Sequence, residues 1–259
     1  METFKVATFN MQFGQAWDEK DPDGAPVHLS STVDFLHSLN ADIFLLQEVE
    51  RAQPGGVQAN PPPNYTFLRE KLKGYDSVFA YPPINPEELP FGIALGIFSR
   101  WQLHDFVADE LPPPDIEFHF DNKPVRPSHR QLISATTNIL GREVRLMNTH
   151  LQAFFMIAAT SNEFPTQRNI IEQALRDQSH PTILGGDFNC SPEEHIIDQF
   201  HKAGYHTAQN EEITWRRRPY VLDHLFYNTP LHVVSRQVVP TLCSDHHAVI
   251  AEFSFGGAQ

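Results

Sequence analysis

The sequence is short of cysteine, of positive charge and of long apolar runs. Only two cysteines, Cys190 and Cys243, occur in 259 residues. Two cannot build a disulfide framework and their spacing matches no zinc pattern, so both are expected to be reduced and packed. No apolar run approaches the roughly 18–20 residues that a membrane span needs. The opening stretch METFKVATFN lacks a basic segment followed by an apolar one and reads as a strand, so a cytoplasmic, unexported chain is expected. Lys and Arg number 19 against 32 Asp and Glu, a formal net charge of −13. That excess argues against coating long tracts of nucleic acid, where phosphate neutralisation dominates binding. It leaves open an enzyme that touches a phosphate locally through a metal. No repeat of 20–50 residues and no Gly/Ser linker appear, which excludes solenoids and propellers and favours one domain over residues 1–259.

What is present alternates between strand and helix. Residues 4–9 alternate and are rich in Val, Thr and Phe, as in a strand. In 31–39, Val33, Leu36 and Leu39 share a helical face, with Ser30 or Ser31 as the expected cap. Ile43–Gln47 reads as a buried strand ending at Glu48. Residues 51–64 hold two Gly and four Pro and residues 109–128 hold five Pro, so both are expected to be loops on the rim of a site. Helices are expected over 66–73, 166–178 and 193–203, and strands over 77–81, 92–99, 103–107, 182–184, 221–227, 233–238 and 248–253. Residues 131–139 and 143–149 flank Gly141 as a hairpin. Mixed or antiparallel sheets within an α/β (α+β) class follow.

Polar residues collect where these apolar runs stop: Asn10, Glu48, His150, Asp187 with Asn189, and Asp245 with His246; Asp223 lies within a further strand. Strand ends on a rigid scaffold are where ligand-contacting side chains are delivered. Carboxylate and amide oxygens suit a hard cation, Mg²⁺ or alternatively Mn²⁺, and histidines and amides beside them suit the other oxygens of a phosphate. The nucleophile elbow G-x-S-x-G and the phosphate loop G-x-x-x-x-G-K-[ST] are both missing from the sequence. Metal-assisted hydrolysis at phosphorus, with water as nucleophile, fits best.

Seven stretches carry a family resemblance: Thr8-Phe9-Asn10, Leu46-Gln47-Glu48-Val49, Gly92–Arg100, Asn148-Thr149-His150-Leu151, Gly185-Gly186-Asp187-Phe188-Asn189, Leu222-Asp223-His224 and Ser244-Asp245-His246. In this order they resemble the endonuclease/exonuclease/phosphatase family of metal-dependent phosphohydrolases. That group includes pancreatic-type deoxyribonuclease, abasic-site endonucleases, neutral sphingomyelinases, inositol-polyphosphate 5-phosphatases and deadenylases. The resemblance implies a four-layer sandwich, two packed mixed β-sheets flanked by helices. It implies Glu48 as the principal metal carboxylate with Asn10 beside it, and Asp245 as a metal ligand or a further partner. It implies catalytic roles for His150, Asp187, Asn189 and His246, with Asp223 orienting the His246 imidazole. Either Asp187 or His246 could take the proton of the attacking water. Gln12 departs from the acidic residue of the abasic-site branch, which weakens a second metal site.

The substrate is less determined by these motifs. Asn148–Ala153 with Gln167-Arg168 resembles the sphingomyelinase and small-phosphoester branches, so a small or lipid-linked phosphoester is expected, with a DNA or RNA nuclease as the alternative and a silent binding module as a third. Phe154–Ala159 is apolar enough to be either a buried helix start or a lip against lipid or base. Arg130, and the run Trp215-Arg216-Arg217-Arg218, are expected to contact substrate: the arginines at phosphate, Trp215 by stacking on a base.

Overall fold

The computed structural model describes residues 2–53, 56–84, 93–120, 122–209 and 211–256. One sheet contains β1 (Thr3–Asn10), β2 (Ile43–Gln47), β3 (Asp76–Ala80), β4 (Leu95–Ser99), β13 (Leu231–Val239) and β14 (Ala248–Phe255). The other contains β5 (Leu103–Leu111), β8 (Arg130–Ile139), β9 (Arg142–His150), β10 (Thr182–Asp187), β11 (Tyr205–Thr207) and β12 (Asp223–Asn228). Their orders are β13-β14-β1-β2-β4-β3 and β11-β12-β10-β9-β8-β5. Each sheet is antiparallel except at one parallel pair near its centre, β1 with β2 and β9 with β10. Helices α1 (Leu29–Leu39) and α2 (Pro63–Lys71) cover the first sheet, and α3 (Thr166–Arg176) and α4 (Ile196–Lys202) cover the second. The four layers and the mixed sheets are those the sequence implied.

Period-2 alternation decides which side chain enters which layer. Phe4 and Val6, Ile43 and Leu45, Val144 and Leu146, Ile183, Leu225, and Val249, Ala251 and Phe253 form the core between the sheets. Their alternates, Ala7, Phe9, Phe44 and Leu46 on one side and Met147, Leu184 and Phe226 on the other, pack under the helices. Along each central strand the inward positions turn polar towards one end: Thr8 then Asn10, Gln47, Asn148 then His150, Asp187, and Asp223. The site is therefore the polar end of the inter-sheet core. Gly185 permits the approach just beneath it, since a Cβ there would sit 2.5 Å from Leu45 Cδ1 and 3.2 Å from Thr8 Cβ.

Several local expectations need correction. The helix from Leu29 has no side-chain cap, and neither Ser30 nor Ser31 caps it. The proline-rich stretch 109–128 is not all loop: β5 continues to Leu111, and β6 (Phe118–Phe120) pairs with β7 (Lys123–Val125). Pro63 opens α2 because its fixed φ and missing N–H suit a first helical turn. The strand expected over 92–99 is Leu95–Ser99, and Gly92 lies outside the described residues. The three-residue strand β11 was not expected.

Candidate active site

Register brings three of the expected residues side by side. Asp187, the last residue of β10, is paired with His150 of parallel β9 and with Asp223 of antiparallel β12. Equal register places their side chains on one face, towards the other sheet. Opposite them stand Asn10 at the end of β1 and Glu48 just past β2. Asp245 and His246 arrive on the turn before β14. The backbone bends sharply around this layer: Gln12, Phe13, Glu48 and Asn189 all have positive φ, between 44 and 56°. Such conformations are unfavourable for residues with a Cβ and concentrate at functional sites.

Asp187 is the hub. Its Oδ2 accepts from Asn10 Nδ2 at 3.0 Å, and it lies 3.3 Å from His150 Nε2 and 3.6 Å from His246 Nε2. Its Oδ1 accepts from the Asn189 backbone N–H at 3.0 Å. Asn189 Nδ2 contacts His150 Nε2 at 2.8 Å and donates to the Leu151 carbonyl at 3.1 Å. His246 Nδ1 pairs with Asp223 Oδ2 at 2.8 Å. Asn10 Nδ2 also donates to Glu48 Oε1 at 3.0 Å, while its Oδ1 accepts from the Gln12 N–H. Asn10 thus bridges two carboxylates through its nitrogen instead of facing them with its oxygen.

A polar layer below holds the two sheets in this relation. Gln47 Nε2 donates to Thr8 Oγ1 and to Asn148 Oδ1, and Asn148 Nδ2 donates to the carbonyls of Leu46 and Gly96 in the opposite sheet. The motif residue Asn148 therefore serves positioning. It was not singled out from the sequence, although its place two residues before His150 puts it on the same inward face.

Burial sets the proton affinities. The Glu48 carboxyl is raised by desolvation and by the charge of Asp245, against the Asn10 hydrogen bond. Asp187 is raised to about 7, first by burial. Burial also disfavours charge on His246, but the Asp223 and Asp187 carboxylates outweigh it and hold the imidazole up to about 10. His150 is pushed well down by burial and by the positive charges of Arg130 and His246. Two carboxylates that repel each other, the half-buried Glu48 and the buried Asp245, are the donor chemistry a hard dication offsets, so the residues fit the Mg²⁺ that the motifs implied. Asp187, Asp223 and His246 also gather ligand-type atoms within 4.8 Å. There, however, Asp223 and His246 spend their facing atoms on each other.

The basic run is placed differently from expectation. Trp215 is buried, and its Nε1–H donates to Asp245 Oδ2 at 3.2 Å, so it is not available to stack on a base. Arg217 donates from Nε to the same oxygen at 2.7 Å and from Nη1 to Asp23 at 2.7 Å. Arg216 Nη2 donates to the Thr241 carbonyl. Of the run, Arg218 is exposed, laid against Phe155 and Tyr220. Arg130 begins β8, is buried, and its charge acts on both Glu48 and His150. His224 turns outward to Phe188 and Phe226, away from the cleft. Gln12 Oε1 accepts the Asp245 N–H, so this departure from the acidic residue has a structural task. Phe154–Met156 forms a 3-10 turn with Phe154 buried and Met156 70% exposed, part core and part lip.

The model of the Endonuclease/Exonuclease/phosphatase family matches residues 7–246, from β1 to His246. The chain belongs to this family. Solved structures agree in fold. An endonuclease/exonuclease/phosphatase from Beutenbergia cavernae superposes with a TM-score of 0.74 at 21% identity, covering 100% of this chain and 73% of that one. The mannosyl-6-phosphatase of Bacteroides thetaiotaomicron gives a TM-score of 0.65 at 19% identity over 97% of this chain and 100% of that one. A UPF0294 protein of Vibrio campbellii is 25% identical over 121 residues, 44% of this chain and 41% of that protein, so the match spans under half of the curated relative's length. Family members are phosphoester hydrolases that generally depend on a metal. Among the described residues no helix is long and apolar enough to cross a membrane.

Proposed function

We propose that this chain is a single-domain, metal-dependent hydrolase of phosphoesters or phosphodiesters, using water as nucleophile on a small or lipid-linked substrate. The convergence of Asn10, His150 and His246 on Asp187 Oδ2 carries this proposal. Glu48 and Asp245 would hold Mg²⁺ (Mn²⁺ is the alternative), with Asn10 bridging Glu48 to Asp187. The bound cation would supply charge neutralisation at the phosphoryl oxygens.

The remaining roles belong to protein groups. Asp187, raised to about 7, takes the proton of the attacking water at neutral pH. His246, kept protonated by Asp223, donates to a phosphoryl oxygen as charge builds there. Asn189 orients His150, whose depressed proton affinity keeps it neutral beside the leaving group. Arg130 adds a positive charge at the same cleft. A small substrate is supported by the net charge of −13 and by the engagement of Arg216 and Arg217 with protein groups. The likeness to a mannosyl-6-phosphatase supports the same choice, and the lip at Met156 supports an apolar substituent. Two free cysteines support work in a reducing, cytoplasmic setting.

Hydrolysis of bis(p-nitrophenyl) phosphate with Mg²⁺ tests the proposal. Wild type should turn over, and Glu48→Ala and His246→Ala should each lose about 10²-fold or more in kcat/KM. Equal activity in both variants would overturn the site. A panel of sphingomyelin, sugar and inositol phosphates, plasmid DNA and RNA then separates small substrates from nucleic acid.

A further inference from the structure

Glu48 reaches the site only because the chain breaks its alternation there. Along β2, Leu46 goes under the helices and Gln47 goes between the sheets. An unbroken strand would send residue 48 under the helices as well. Instead Val49 is buried there with Leu46 and Leu68, and the Glu48 carboxylate meets Asn10 on the inter-sheet side. The reversal lies in Glu48 itself, whose φ of 51° is left-handed. That conformation is unfavourable for a residue with a Cβ and persists where the surroundings over-determine it.

Three contacts hold it, and the start of α2 takes part in two. The Glu48 carbonyl accepts from the Phe13 N–H at 2.9 Å. The next carbonyl, that of Val49, accepts from Asn64 Nδ2 at 3.0 Å, and the same nitrogen reaches the Phe13 carbonyl at 3.4 Å. Phe13 is left-handed too, with φ 56°. Asn64 therefore joins the turn after β1 to the turn after β2. Glu50 makes the third contact. Pro62 stands at the cap position of α2 and provides no side-chain cap. Glu50 Oε1 takes that place, accepting from the N–H groups of Asn64 and, at 3.2 Å, of Tyr65. These are among the donors that a helix start leaves unpaired, and a carboxylate suits the positive end of the helix. Glu50 is only 5% exposed, so this cap is buried. It fixes the chain two residues past Glu48.

We infer that Asn64 and Glu50 are positioning residues: the start of α2 holds Glu48 in the left-handed turn that aims its carboxylate into the site. Neither residue touches the reacting groups. The inference rests on the proposed cation site at Glu48, and it assigns to α2 the setting of that site's affinity.

The test uses the full chain and Mn²⁺, with free ion counted by paramagnetic resonance, so binding is read without turnover. Asn64→Ala and Glu50→Leu should each bind Mn²⁺ about tenfold or more weakly than wild type, as supports of metal ligands do. Glu50→Gln keeps an oxygen for the helix donors and should stay within about threefold. Tyr65→Phe is the control for general loosening: it loses the contact of Tyr65 with Ser77 on the same helix but not the clamp, and its affinity should equal that of wild type. Hydrolysis of bis(p-nitrophenyl) phosphate by Asn64→Ala should need more Mg²⁺ yet approach the wild-type kcat at saturation, to within about threefold. Wild-type affinity in Asn64→Ala, or a loss in Tyr65→Phe as large as in Asn64→Ala, overturns the inference. The expected pattern of Mn²⁺ affinities in a wild type that hydrolyses no phosphoester would overturn the hydrolase proposal alone.

Discussion

His246 Nδ1 lies 2.8 Å from Asp223 Oδ2, and both side chains are buried where β12 begins and the chain turns into β14. Burial alone would strip the imidazole of its proton; this carboxylate and that of Asp187 keep it on, up to about pH 10. A carboxylate that holds the proton on Nδ1 also fixes the ring so that Nε2 faces Asp187. Asp223→Asn should therefore lower kcat by about 10²–10³-fold. It should also move the alkaline limb of the pH–rate profile downwards, because removing a charge that raises the His246 pKa lets the proton leave at lower pH. The profile of diester hydrolysis between pH 6 and 10 checks this, and an unmoved limb would count against Asp223 as the partner.

Glu48 gives a prediction about the metal. Its folded pKa is raised by burial and by Asp245. A raised acid is favourable to the fold while protonated, so this contribution is present at low pH and is lost as pH rises through the folded value. A cation binds the ionised form and restores it. Mg²⁺ should accordingly raise the melting temperature more at pH 8 than at pH 5. At about 100 Kd the gain is about 2.7 kcal/mol, or roughly 5–10 °C for a chain of this size. Glu48→Gln should remove most of the gain, and chelator should reverse it; an equal gain in wild type and variant would place the cation elsewhere.

Gly186 should be intolerant of a side chain. A Cβ there would meet the Thr149 carbonyl oxygen at 2.4 Å, a backbone atom in the paired strand that cannot swing away. Gly186→Ala should cost about 1–3 kcal/mol and lower the melting temperature by roughly 2–10 °C. Activity should fall further than stability, since the next pair in the ladder is Asp187 with His150. Gly185→Ala, whose nearest contact is the flexible tip of Leu45, should be milder in calorimetry.

His224 supplies a pH-dependent stability term. Burial against Phe188 and Phe226 lowers its pKa to about 4. Since the unfolded value is near 6.5, the unfolded chain binds more protons between these limits, and stability is present above about pH 6.5 and lost as pH falls towards 4. His224→Phe should flatten that part of the melting curve series between pH 7 and 4.5. A slope equal to that of wild type would assign the acid sensitivity to other groups.

Most of the architecture was legible because period-2 alternation and helical spacing both reflect burial. Phe4–Phe9 and Val144–Thr149 could hardly be anything but strands feeding a two-faced sheet. The site residues were legible as polar residues at the ends of apolar runs, and Asn10, Glu48, His150, Asp187, Asp223 and His246 do meet. The engagement of Arg216 and Arg217 was not legible. An arginine reads the same whether it faces phosphate or Asp245, and only the fold brings Asp23, Thr241 and Asp245 to it. Trp215 failed as a stacking platform for the same reason, since its partner lies 30 residues away. Within 109–128, proline marks where ladders end but does not forbid a short hairpin such as β6–β7.

The cross-sheet layer has a kinetic meaning. Asn10 meets Asp187 across 177 residues of chain, and Gln47 meets Asn148 across 101. Either sheet could keep its own ladders if the two were to part slightly, yet Asp187 would lose Asn10, and Gln47 would lose Asn148. Turnover at the proposed site would thus gauge sheet-on-sheet closure. Under mild denaturant it should vanish before the far-ultraviolet signal of the strands declines, and during refolding it should be the last property to return.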